Sequence, residues 1–211
     1  RIGRFLSPEA RELLLNKRNG KVSGSMTALD LMLLNDPAYA EIYSKAMNRL
    51  SDYESATERT LNKSLLEAET ATNELNQILG NAAQTSDGTR AFKDTKGVLW
   101  SENHEKLSEQ VADQIEWRGL EPTREQYLQK LEGKKLADKK VNEIRIFQTE
   151  VGAVRERLTD PDKPPTSEDI HNALKTLEER TPEEVSSELP KNGISPTMNA
   201  EHSFDISVPI L

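Results

Sequence analysis

The stretch that decides the fold is residues 37–79, which read PAYAEIYSKAMNRLSDYESATERTLNKSLLEAETATNELNQIL. Asp36 precedes it as a capping residue, and Pro37 occupies the first helical position, where a missing N–H costs nothing. Neither glycine nor a further proline occurs before Gly80. The stretch therefore predicts one uninterrupted helix of about 43 residues, roughly 64 Å long at the helical rise per residue.

Apolar and small residues recur along this helix at alternating steps of three and four. The row, which Glu54 interrupts, consists of Met47, Leu50, Thr57, Leu61, Ser64, Ala68, Ala71, Leu75 and Ile78. Such spacing predicts a coiled-coil seam. Because the middle of the row is small or polar, it buries little apolar area, and we expect the seam to be weak.

A second long helix is predicted from Arg124 to about Leu158, opened by the capping box Thr123-Arg124-Glu125-Gln126. Its apolar row is Ile144, Phe147, Val151, Val154 and Leu158. Two long helices joined by an intervening section favour antiparallel pairing. Antiparallel pairing would place Tyr43 and Met47 near Val154 and Leu158, and Leu75 and Ile78 near Tyr127 and Leu131. We therefore predict a mainly α protein built on a long, coiled-coil-like antiparallel helical hairpin, residues 37–158.

The section between the helices predicts a small inserted β-hairpin, residues 89–101. The strands Arg90–Lys93 and Val98–Ser101 flank a turn that ends in Gly97, at a position that favours left-handed backbone. An isolated hairpin is marginal in water, so this one must lie on a helix or on a partner. A short helix is predicted next, from Ser108 to about Trp117.

Residues 1–36 predict an N-terminal helical cluster packed on the hairpin body. One helix begins at Ser7-Pro8-Glu9 and ends near Arg18. Residues 26–34 form the most hydrophobic stretch and are apolar nearly all round, which predicts a helix buried on several sides. The alternative is an exposed docking surface, with Met26, Leu29, Met32 and Leu33 as partner-binding residues.

The C-terminal part divides into a hinge with short helices, residues 159–189, and a flexible arm, residues 190–211. Prolines at 161, 164 and 165 indicate the hinge. Near the end, Phe204, Ile206 and Val208 alternate with polar residues. This alternation predicts a lone strand that adds to a sheet edge of this chain or of a partner, so these three residues are further partner-binding candidates.

Charge is distributed unevenly along the chain, whose net charge is −8. Residues 1–21 hold six basic and two acidic residues, a net +4, so the remainder carries −12. An acidic body argues against nucleic-acid binding, because affinity for phosphates comes from Lys and Arg. The basic end is explained most simply as a solvated helix end, and the alternative is contact with an acidic partner or surface.

The residue types exclude several chemistries. The chain has no cysteine, which removes disulfides, thiolate metal sites and cysteine nucleophiles. The three histidines are far apart and lack the spacing of metal ligands, and no phosphate-binding glycine motif is present. We predict no catalytic, cofactor-binding or metal-binding residue, and the apolar runs are too short for a transmembrane segment. Location stays open between the cytoplasm and export without a cleaved signal peptide.

These features favour a non-catalytic protein–protein interaction or assembly module, acting as a scaffold or a homo-oligomer. An accessory, secretion-associated or structural protein of a bacterium or phage would suit this shape. One alternative is a hydrolase-like enzyme with a site near Trp100–Glu105, where Glu102, His104 and Glu105 lie close in sequence. The other is a nucleic-acid-associated protein that uses its basic N-terminus.

Overall fold

The computed structural model describes residues 2–16 and 26–191. It confirms a mainly helical chain with a small antiparallel sheet. A 3-10 turn, Ile2–Phe5, is followed by α1 (Pro8–Asn16), α2 (Ala28–Asn35), α3 (Pro37–Asn81), β1 (Ala83–Gln84), β2 (Arg90–Lys93), β3 (Leu99–Ser101), α4 (Glu109–Ala112), α5 (Arg124–Leu158), α6 (Ser167–Arg180) and α7 (Glu183–Ser186).

The two long helices begin where the sequence predicts. Helix α3 starts at Pro37 and runs for 45 residues, so Gly80 lies inside its last turn and does not end it. The capping box of α5 is present, since the Gln126 N–H donates to the Thr123 hydroxyl and the Thr123 N–H to the Gln126 side chain. The expected helix from Ser108 to Trp117 is wrong, because α4 ends at Ala112. Beyond it the chain instead packs Ile115 against Ala83 and Leu99 of the sheet.

The described chain forms two compact units. Of the described residues, the first unit comprises 2–16, 26–60 and 144–191, and the second comprises Leu61–Glu143. Helices α3 and α5 each contribute residues to both units.

The core of the first unit is built from α2, α3, α5 and α6. The Tyr53 and Phe147 ring centroids lie 6.0 Å apart, edge to face. The largest fully buried side chains of this unit are Leu33, Tyr43, Met47, Leu50, Tyr53, Ile144, Phe147, Val151, Leu158, Ile170 and Leu177. Their aliphatic and aromatic area is the main source of stability in this unit.

The end of α5 and the proline-rich segment that follows it, predicted as a hinge, are held to α2 and α3 at three points. The Leu29 N–H donates to the Pro161 carbonyl (3.2 Å), and the Tyr39 hydroxyl donates to the Pro165 carbonyl (2.7 Å). The Tyr43 hydroxyl donates to the carbonyl of Leu158, the last residue of α5 (3.0 Å). Two buried tyrosines therefore donate hydrogen bonds to backbone carbonyls. One of these is the Leu158 carbonyl at the end of α5, which has no hydrogen-bond donor within the helix.

The second unit holds the sheet, in which β2 pairs antiparallel with both β1 and β3. The predicted hairpin strands are present, with Gly97 at φ 79°, and β1 adds a third strand that the sequence analysis did not predict. Phe92 of β2 stacks on Tyr127 of α5, with centroids 4.3 Å apart. Leu75 joins the same cluster, with Ile78 and Leu131 packed against it. As expected for a hairpin, the sheet is stabilised by packing on helices.

The predicted seam residues of α3 are all buried or half-buried. In the first unit Met47, Leu50 and Thr57 are buried, and the Thr57 hydroxyl donates to the Tyr53 carbonyl (2.6 Å). In the second unit Ser64 and Leu75 are buried, whereas Leu61, Ala68, Ala71 and Ile78 are half-buried. There Glu74 pairs with Lys130 (2.8 Å), a partly exposed pair of small energetic value.

None of the described helices combines the length and the apolar character that a bilayer crossing requires.

Candidate functional site

A groove of about 490 Å³ opens in the first unit between the N-terminal 3-10 turn, α2 and the first turns of α3. Its apolar lining consists of Ile2, Leu33, Leu34, Pro37 and Ala40, and its polar lining of Glu41, Ser44, Lys45 and Asn48. Pro37, Glu41 and Lys45 are exposed, whereas Leu33 and Ala40 are buried. The groove thus has an aliphatic floor and an open polar edge.

Asp30 fixes the helices that form the groove. Its carboxylate accepts hydrogen bonds from the Ser7 N–H (2.9 Å), the Ser7 hydroxyl (2.6 Å) and the Thr27 N–H (3.1 Å), and so joins the starts of α1 and α2. Burial alone would raise the pKa of Asp30, but the hydrogen bonds from Ser7 and Thr27 outweigh it and lower that pKa overall. An ionised, fully satisfied carboxylate therefore sets the position of α2.

A single residue, Asp36, separates α2 from α3, and its backbone is extended (φ −124°, ψ 95°). The Asp36 carboxylate accepts from the Tyr39 N–H (3.1 Å) and caps α3. This connection brings Leu33 and Leu34 at the end of α2 against Pro37 and Ala40 at the start of α3. These four side chains form most of the groove floor.

The edge of the groove carries charge of both signs. Glu41 and Lys45 pair along α3 (3.0 Å) with both side chains largely exposed. The Arg4 guanidinium donates to the Asn48 side chain and lies 4.6 Å from the Phe5 ring centroid. Glu41 and Lys45 line the groove, and Arg4 contacts the lining residue Asn48.

The predicted partner-binding residues of the 26–34 stretch differ in exposure. Leu29 is 5% exposed and belongs to the core, while Leu33 is 1% exposed and lies under the groove. Met26 and Met32 are half-buried. Phe204, Ile206 and Val208 lie outside the described residues.

Sequence reasoning missed Ile2, Leu34, Pro37 and Ala40 as groove residues. Pro37 was interpreted only as a helix start, and Ile2 is remote in sequence from the others. One available signal was the small pair Ala40 and Ser44, one turn apart, which leaves room beside a helix.

The segment Trp100–Glu105, the candidate enzyme site, lies in the second unit, and several of its side chains take part in packing. The Trp100 indole N–H donates to the Asp94 carboxylate (3.1 Å), and the Arg124 guanidinium lies 3.7 Å from the Trp100 ring centroid. The hydrogen bond from Trp100 is the largest cause of a lowered pKa at Asp94. The Glu102 carbonyl accepts from the Tyr127 hydroxyl (3.0 Å).

His104 adopts a left-handed backbone conformation, with φ at 67°, and its side chain is exposed. Its ring centroid lies 6.1 Å from that of Tyr127. Among the described residues, no acid or nucleophile is hydrogen-bonded to the His104 side chain, as a general base would require. Across residues 2–16 and 26–191, no three acidic or histidine side chains converge in a way that could hold a metal ion.

No protein-family model, curated protein or solved structure matches this chain.

Proposed function

We propose that the chain is a non-catalytic protein-binding module. Its groove holds an amphipathic helix of a partner protein, and acidic residues flank that helix in the partner's sequence. The observation that carries this proposal is an aliphatic floor with an open polar edge, lined by the end of α2 and the start of α3. Helix-in-groove recognition uses such a floor to bury apolar anchors spaced one turn apart.

An open groove favours a macromolecular partner over a small ligand. Small-molecule sites are usually enclosed and bury most of the ligand surface. Here Pro37, Glu41 and Lys45 leave one side open to solvent. A helix laid along this side would cover the floor and keep its own polar face in water.

The charges near the groove favour acidic flanks on that helix. Arg4 and Lys45 are exposed at the groove, and in the sequence residues 1–21 carry a net +4 on an otherwise acidic chain. Exposed charges of this kind mainly accelerate association and select partners, and salt screens their effect. Binding is therefore expected to weaken as salt rises.

We further propose that α3 and α5 pair antiparallel within one chain, as the coiled-coil-like spacing predicts. In the first unit, support comes from the Tyr43–Leu158 and Tyr53–Phe147 contacts. The residue numbers rise along α3 while they fall along α5, as antiparallel pairing requires. In the second unit, the pairs Glu67–Lys140 (3.7 Å) and Glu74–Lys130 (2.8 Å) support the same direction.

The absence of cysteine makes this pairing easy to test. A variant carrying both Glu74→Cys and Lys130→Cys should react with a short bis-maleimide to give a cross-linked monomer. A mixture of the two single-cysteine variants should give no cross-linked dimer. A dimer from the mixture, with no internal product from the double variant, would contradict pairing within one chain.

The docking proposal is tested with a photo-crosslinking amino acid placed on α3. At Ser44, which lines the groove, it should capture a partner in the source cells, whereas at the exposed Ser55 it should not. The captured segment is then made as a synthetic peptide and titrated calorimetrically at two salt concentrations. The proposal expects an acidic, helix-forming peptide whose binding weakens as salt rises.

Two variants of α2 complete the test. Leu34→Glu places a charge in the groove and should weaken the peptide at least about tenfold, which corresponds to about 1.4 kcal/mol. Leu31→Glu, on the same helix but outside the groove lining, should leave affinity unchanged. Equal capture at Ser44 and Ser55, or equal affinity for both variants, would contradict the proposal.

A further inference from the structure

Asp52 is a buried carboxyl group with an unsatisfied oxygen. It lies on α3 in the first unit, is 8% exposed, and its Oδ2 atom makes no hydrogen bond. One turn earlier, the Nη1 atom of Arg49 is also buried and without a hydrogen bond. A buried charge without hydrogen-bond partners is costly, and such groups commonly respond by changing protonation.

The other buried aspartate of this unit shows the contrast. Asp30 is 1% exposed, yet its carboxylate accepts three hydrogen bonds from Ser7 and Thr27. These bonds stabilise the ionised form. Asp52 lacks such donors, so burial raises its pKa, and the nearby charges of Arg49 and Arg59 only partly oppose the rise.

Most of the cations that reach this stretch of α3 have other partners. The Arg49 guanidinium lies 4.9 Å from the Tyr53 ring centroid. From other elements of the first unit, Arg4 of the 3-10 turn bonds to Asn48, Arg155 of α5 pairs with Glu54, and Glu188, just beyond α7, pairs with Arg59 (3.7 Å). Adding a proton to Asp52 is the simplest way to remove its buried charge.

We propose that Asp52 is an acid-responsive device of the first unit: the packed unit favours its neutral carboxyl, and ionisation of that carboxyl loosens α3. The sign follows from linkage. A carboxyl favoured in its protonated form by folding contributes stability that is present below its ordinary pKa and is lost as pH rises through its folded pKa. Asp30 has the opposite sign, because its contribution is present above its ordinary pKa and is lost on acidification.

The test is urea unfolding of the full chain from pH 3.5 to 8, comparing wild type, Asp52→Asn and Asp30→Asn. Relative to Asp52→Asn, wild type should lose stability as pH rises. The ratio of their unfolding constants should change about tenfold for each unit by which folding raises the pKa of Asp52. Asp30→Asn should show the opposite trend, with its deficit largest at neutral pH.

A second measurement keeps the proposal testable if Asp52→Asn does not fold. Carbon-13 NMR of the wild-type Asp52 carboxyl should give a titration midpoint above the ordinary aspartate range. A midpoint at or below that range would overturn the proposal, as would parallel pH profiles for wild type and Asp52→Asn. The inference concerns folding alone, so its failure would leave the docking proposal intact.

Discussion

Replacing Tyr43 by phenylalanine tests how the end of α5 is held to α3. The Tyr43 hydroxyl donates to the carbonyl of Leu158, a residue that is 0% exposed and ends α5. The last carbonyls of a helix have no partner within the helix, so they depend on such donors. Tyr43→Phe keeps the ring and its edge contact with Phe5, centroids 5.4 Å apart, and removes only the donor.

The expected cost can be worked from this single bond. A typical hydrogen bond contributes about 0.5–1.5 kcal/mol net, and leaving a buried acceptor unsatisfied costs about 1–3 kcal/mol. Because Tyr43 is 1% exposed, water cannot easily replace its hydroxyl, and we expect a loss of about 2 kcal/mol. In a chain of this size, a loss of that order lowers Tm by about 4–8 °C.

Urea unfolding followed by far-UV circular dichroism measures this loss, and Tyr53→Phe is the matched control. Tyr53 lies on the same helix and is also buried, but its hydroxyl donates to no other described residue, so its variant should stay within about 0.5 kcal/mol of wild type. If Tyr43→Phe is no less stable than Tyr53→Phe, the hydroxyl does not anchor α5 and the reasoning is refuted.

Other predictions concern a buried phenol and two glycines. Burial raises the pKa of Tyr39 to about 12, so the fold should lose stability as pH rises from about 10 through 12. In a Tm-versus-pH series, Tyr39→Phe should remove that part of the alkaline loss. An unchanged alkaline profile in the variant would count against this prediction. Gly97→Ala should destabilise by about 1 kcal/mol because φ is +79°, although nothing lies within 4 Å of the new Cβ. Gly133→Ala, within α5 and equally unobstructed, should stabilise the fold by about 0.5–1 kcal/mol. Thermal melts in which both glycine variants shift Tm in the same direction would contradict these backbone assignments.

Local signals predicted where the two long helices begin. Pro37 after Asp36, and the Thr123–Gln126 capping box, each begin a helix where the sequence indicates, because such signals act within one turn of chain. Strand β1 was missed because two residues, Ala83 and Gln84, are too few to show alternation.

Long-range contacts could not be predicted in the same way. The Tyr39–Pro165 hydrogen bond joins residues 126 apart in sequence, and no local pattern specifies it. Prolines indicate a break in a helix, but they do not reveal which carbonyls nearby side chains will satisfy.

The candidate site shows the same limit. Hydrophobicity identified α2, yet in a helix that is apolar nearly all round, periodicity does not tell Leu33 under the groove from Leu31 in solvent. Asp30 and Asp52 are likewise equivalent as residue types, and only the donors around them set the opposite directions of their pKa shifts.

Hydrogen–deuterium exchange of the full chain, with and without the peptide captured at Ser44, tests the docking proposal most directly. If the groove holds the partner helix, the amides of residues 33–48 should gain protection, and the strands Arg90–Lys93 and Leu99–Ser101 should be unaffected. Protection that appears in those strands and not in residues 33–48 would contradict the account.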